Sequence, residues 1–186
     1  LEEAMLFRDT DLIKVITGVR RCGKSSLLDL IRITIESEGV AGRGYVSVNL
    51  ESKGTGIKTE DQLYDYVRGR LSDKGRTYVF IDEPQRIDGW QDAVNAMRVD
   101  FDCDIYLTGS NAYLLSSELA TYLSGRYVEV KMLPLSFSEF ADFCGIEFVS
   151  GTSVALTPEG DPVLFDDMLT RYLEYGGMPA IASLST

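Results

Sequence analysis

Residues 18–26, GVRRCGKSS, place a glycine, four variable residues and a second glycine directly before a lysine and two serines. Gly18, Val19, Arg20, Arg21, Cys22, Gly23, Lys24 and Ser25 fit the pattern GxxxxGK[ST] throughout, with an apolar run before them and an amphipathic one after. The glycines let the backbone curl so that successive N–H groups face one concavity, and a helix starting there adds partial positive charge. The pattern therefore predicts a cradle for phosphate. Lys24 would reach the β- and γ-phosphates of a nucleotide, the Ser25 hydroxyl would ligate Mg²⁺, and Ser26 would serve the α-phosphate side. Arg20 and Arg21 either touch phosphate or stay solvated, and Cys22, beside cations and a helix start, is expected to be a reactive thiol that bound nucleotide shields.

Two carboxylates answer this cradle. YVFIDEPQ is an apolar run that ends in Asp82 and Glu83; Asp82 would hold the magnesium ion and Glu83 would polarise the attacking water. IYLTGSN offers Ser110, and next to it Asn111, as groups that could hydrogen-bond the γ-phosphate or that water. Arg126, in YLSGRYVEV, is read from its own surroundings either as an arginine finger or as a surface residue capping the preceding helix.

Positioning these residues requires an alternation of strands and helices. Strands are expected at 12–17, 45–50, 77–83, 103–110 and 127–133, and helices at 25–37, 59–71, 90–99 and 114–123. Such alternation implies an α/β fold, a three-layer αβα sandwich with a parallel sheet of about five strands, whose ligands bind beyond the carboxyl ends of the strands. After Pro134 the texture changes. SFSEFADFCG reads as a short helix, the stretch to Pro162 is polar and mixed, and FDDMLTRYLEYGGMP reads as a helix closed by glycines. The expected division is a phosphate-binding P-loop core over 1–135 and, over 136–186, a helical lid or the start of a further domain.

Composition removes many other chemistries. Among 186 residues there is no histidine, so histidine metal sites and histidine-based triads are excluded. The three cysteines are scattered, without the paired spacing of a zinc site or a disulfide framework. A net charge of −11 disfavours a nucleic-acid-binding surface across the whole domain. With no long apolar run or signal-like start, the expected location is the cytoplasm, with no membrane partner. No [NT]KxD segment follows the cradle to read guanine, whereas transfer of phosphate to a small-molecule acceptor stays open. The chain opens on leucine, which fits a piece of a longer protein.

The blocks TGVRRCGKSSLL, YVFIDEPQRIDGWQDAVNAM, LTGSNAYLLSSELATYLSGRYVEVKMLPLSFSEF and YLEYGGMP resemble the bacterial and archaeal AAA-like ATPases that often carry a DUF4143 domain at their C-terminus. The resemblance spans roughly residues 12–180. It implies strand order 5-1-4-3-2, ATP with Mg²⁺ as ligands, and ATP hydrolysis with Glu83 as the base. It also raises Arg126 to an arginine-finger candidate acting on a neighbouring copy in a homo-oligomer. In that family further chain follows GGMP, and a protein or nucleic-acid partner met through it is not identified by these residues. The same motifs are compatible with a nucleotide-gated switch or interaction module of negligible turnover.

Overall fold

In the computed structural model, residues 1–39, 42–110 and 123–182 are described. Five parallel strands, β1 (Ile13–Gly18), β2 (Gly44–Asn49), β3 (Thr77–Asp82), β4 (Cys103–Ser110) and β5 (Tyr127–Met132), stand in the order β2-β3-β4-β1-β5. Read from the other edge, this is the expected 5-1-4-3-2. Four helices accompany them: α1 (Glu2–Leu6), α2 (Lys24–Ser37), α3 (Glu60–Arg68) and α4 (Trp90–Asp100). The sequence reading did not anticipate α1, and α3 stops at Arg68, where Gly69 follows, rather than reaching Leu71. The helix expected at 114–123 falls almost entirely outside the described residues.

Side-chain alternation along each strand builds the layers. Val79 and Ile81 face one side with Val46, Val48, Ile105 and Leu107, against Leu63 and Val67 of α3 and Trp90, Val94 and Met97 of α4. Tyr78 and Phe80 face the other with Ile16 and Tyr106, against Leu28, Ile31 and Ile35 of α2 and Ala4 of α1. A strand covered on both faces has no polar side to show, which is why TYVFID reads as a continuous apolar run. Burying each such large side chain contributes about 1.5–3 kcal/mol. Two of the helices start at side-chain caps. Thr59, for instance, accepts the Gln62 N–H at 3.3 Å ahead of Glu60 and Asp61.

One residue breaks the apolar pattern of β1. Lys14 is fully buried and pairs with the equally buried Asp104 of β4. Asp104 also accepts the Asp9 N–H at 2.8 Å and the Tyr106 hydroxyl at 3.3 Å. Burial pushes the Lys14 amine down and the Asp104 carboxyl up from their ordinary values, and the charge of each opposes that change in the other.

The contact pattern separates Leu1–Gly18 with Lys24–Met132 from Val19–Gly23 with Leu133–Thr186. The second unit has a core of Phe140, Ala141, Cys144 and Met168. Its first helix, α5 (Phe137–Phe143), opens with a reciprocal cap between Ser136 and Glu139. The stretch read as polar and mixed contributes three short antiparallel strands, β6 (Glu147–Phe148), β7 (Val154–Leu156) and β8 (Pro162–Leu164). Helices α6 (Phe165–Tyr175) and α7 (Pro179–Ala182) follow. The glycines between them have a steric reason. The carbonyl of Gly177 accepts the Leu135 N–H at 2.7 Å, and a Cβ on Gly177 would fall 1.9 Å from the Leu135 carbonyl oxygen. No helix among the described residues is long and apolar enough to cross a membrane.

Candidate functional site

Because the strands are parallel, their carboxyl ends share one edge of the sheet, and four of them bring Gly18, Asn49, Asp82 and Ser110 there. Gly18 ends β1, and the turn after it carries two left-handed residues, Arg21 at φ 67° and Gly23 at φ 101°. Within the turn the Cys22 N–H donates to the Val19 carbonyl at 3.4 Å. Val19, Arg20 and Arg21 are exposed, whereas Cys22 is 1% exposed. A thiol so enclosed is out of reach of alkylating reagents, so the expected reactivity of Cys22 is not supported.

Lys24 begins α2 with its side chain buried, and its ammonium donates to the Gly18 carbonyl at 3.3 Å. Lys24 thus sits at the helix start, where N–H groups lack intrahelical partners. Ser25 and Ser26 are exposed on the first turn of α2. The Ser25 hydroxyl donates to Asp82 Oδ1 at 3.1 Å, joining residues 57 positions apart.

Asp82, 6% exposed, is the centre of the arrangement. Besides Ser25 it accepts the Thr108 hydroxyl on Oδ1 and the Asn49 amide on Oδ2, the latter at 3.0 Å. A carboxylate offers about four acceptor directions, so three neutral donors fix its plane without exhausting it. Thr108 has one hydroxyl proton, given to Asp82, and its oxygen receives the Glu83 N–H at 3.1 Å. Glu83 itself is left-handed, at φ 58° and ψ 50°, a conformation that crowds Cβ against the following carbonyl and costs about 1–2 kcal/mol. Its carboxylate accepts a hydrogen bond from the Gln85 side-chain amide.

The donor set suits a particular kind of cation. Among the described residues there is no group of three or more His, Cys, Asp and Glu that could hold a metal alone. One carboxylate and one hydroxyl fit Mg²⁺, which keeps waters and draws other ligands from phosphate oxygens. Asp82 and Ser25 would hold it.

Lys24, Ser25, Asp82 and Glu83 are therefore gathered at one sheet edge. Ser110 pairs with Gly18 across β1 and β4, at the same edge. Asn111 lies outside the described residues. Arg126 is not brought there. Its carbonyl accepts the Ile13 N–H at 2.9 Å, its guanidinium donates to Asn95 at 2.9 Å, and β1 carries Gly18 about 16 Å further on. Sequence reasoning missed Asn49, Thr108 and Gln85. A signal was available for the first two, since each is a polar residue within two positions of the carboxyl end of its strand, as in YVSVN and IYLTGS.

A family model described as an AAA domain, AAA_14, matches residues 10–141. An uncharacterized protein of Haemophilus influenzae is 42% identical over 183 residues, which cover 97% of this chain and 43% of that protein. An uncharacterized protein of Methanocaldococcus jannaschii is 33% identical over 170 residues, 91% of this chain and 36% of its own length. The chain thus spans less than half the length of either relative. Among solved structures, Hsp104 of S. cerevisiae in its complex with casein aligns with a TM-score of 0.60 over 97% of this chain and 34% of that one. At 14% identity the likeness is one of fold.

Proposed function

Since the chain belongs to the AAA_14 family of AAA domains, we propose that it binds ATP with Mg²⁺ and hydrolyses it. The observation that carries this reading is the convergence of Ser25, Thr108 and Asn49 on Asp82 with Glu83 immediately beside it. Lys24 and the backbone amides from Gly18 to Ser26 hold the phosphates, and Ser25 and Asp82 hold the ion. Bound Mg²⁺ would neutralise charge on the β- and γ-phosphate oxygens. Glu83 accepts a proton from the attacking water as its oxygen bonds to the γ-phosphorus and ADP leaves. Ser110 or Asn111 hydrogen-bonds the γ-phosphate or that water. Arg126 acts on the site of a neighbouring copy, a role favoured by its distance from its own cradle. In this reading residues 1–135 are the ATPase core and 136–186 a lid or the start of a further domain.

The test separates binding from turnover. Lys24→Ala is expected to abolish ATP binding in calorimetry. Glu83→Gln is expected to bind ATP with near wild-type affinity and lose roughly 10²–10⁴-fold in phosphate release. Hydrolysis at the wild-type rate in Glu83→Gln would remove Glu83 from its role.

A further inference from the structure

We infer that Gln85 is a positioning residue that aims the Glu83 carboxylate, an inference that rests on the hydrolytic reading above. The local chain path makes this possible. Glu83 turns left-handed at the end of β3, and a short 3-10 turn, Pro84–Arg86, follows at once. The Arg86 N–H donates back to the Glu83 carbonyl at 3.1 Å, and the Glu83 N–H is held by Thr108. Folded back in this way, Gln85 lies two residues on with its amide against the Glu83 side chain, where an extended chain would carry it away.

The chemistry of the contact is selective. A carboxylate only accepts, so the amide nitrogen of Gln85 must face Glu83 Oε2, and this fixes which way round the amide lies. The amide oxygen of Gln85 is then buried and pairs with no group among the described residues. A residue kept only to brace the turn would gain nothing from burying an unpaired acceptor, and buried unpaired groups call for a functional explanation. The left-handed backbone of Glu83 is a second local cost at the same place, and such costs collect where geometry is held for chemistry. Gln85 therefore restrains one carboxylate oxygen of Glu83 and so sets the direction of the other.

The experiment pairs turnover with a measurement that does not depend on it. Gln85→Met keeps the side-chain length and removes the donor. It is expected to retain ATP affinity and KM within about twofold while kcat falls about 10- to 100-fold, the size expected for a misplaced reacting group. Gln85→Asn, which keeps the amide but is shorter, is expected to fall between. In the whole 186-residue chain, one side-chain amide proton of Gln85 should resonate downfield and exchange slowly in ¹H–¹⁵N spectra, and should return to the position of a free amide in Glu83→Ala. An unchanged Gln85 amide signal in Glu83→Ala would overturn the contact, as would wild-type kcat in Gln85→Met while Glu83→Gln is inactive. Equal losses of affinity and kcat in Gln85→Met would overturn the positioning role in favour of a structural one. Full activity in Glu83→Gln would instead remove Glu83 from the role of base, and absence of phosphate release from the wild type would sink the hydrolytic reading; in either case the amide signal would still decide whether Gln85 holds Glu83.

Discussion

Thr108 ties two neighbouring acids to one hydroxyl: it gives its proton to Asp82 and takes the backbone N–H of Glu83. Thr108→Val preserves shape and removes both bonds. The loss should be about 1–3 kcal/mol, because a buried carboxylate oxygen and a buried N–H each lose a partner. Urea unfolding of Thr108→Val beside Thr108→Ser, which keeps the hydroxyl, checks this; equal stability of the two variants would show that the hydroxyl contributes nothing. Residues of this kind mark the limit of what the sequence makes legible. The proposed cradle from Gly18 to Ser25 is contiguous in sequence, so it can be proposed from a single stretch of residues. Asn49 and Thr108 meet Asp82 across 33 and 26 positions, and only strand pairing brings them there.

At the level of elements, β1 and β4 are joined by a buried ion pair as well as by their ladder. Asp104→Ala should destabilise the protein by about 3–5 kcal/mol, since it strands the Lys14 amine in an apolar layer. The double variant Lys14→Met with Asp104→Asn should be less damaging, because the introduced asparagine is neutral and still offers an oxygen to the Asp9 N–H. A double-mutant cycle in urea measures the difference, and additive losses would show that the two groups are not coupled. Elements were legible where length came with either a period or an unbroken apolar run. The five parallel strands and α2, α3 and α4 all have six or more residues. Strands β6, β7 and β8 have two or three residues each, too few for any period to emerge, and their pairing depends on turns rather than on pattern.

For the molecule as a whole, the separation between Arg126 and its own cradle bears on assembly. If Arg126 completes the site of a neighbouring copy, specific ATPase activity should rise with protein concentration, and Arg126→Ala should keep ATP affinity while abolishing that rise. Activity strictly proportional to concentration in the wild type would remove the residue from the reaction. The fold class and strand order were open to reading because a parallel sheet with both faces covered leaves a strong apolar signature; the association of Val19–Gly23 with Leu133–Thr186 was not, since contacts over such separations leave no local pattern. The left-handed backbone at Glu83 has a consequence for anyone selecting variants of this chain. Glycine relieves crowding at a positive φ, so it is the replacement that tolerance of the backbone would favour there. It is also the replacement that deletes the proposed base. A screen ranked by melting temperature would therefore tend to enrich catalytically silent proteins at this position, and only a screen that also scores turnover would retain the glutamate.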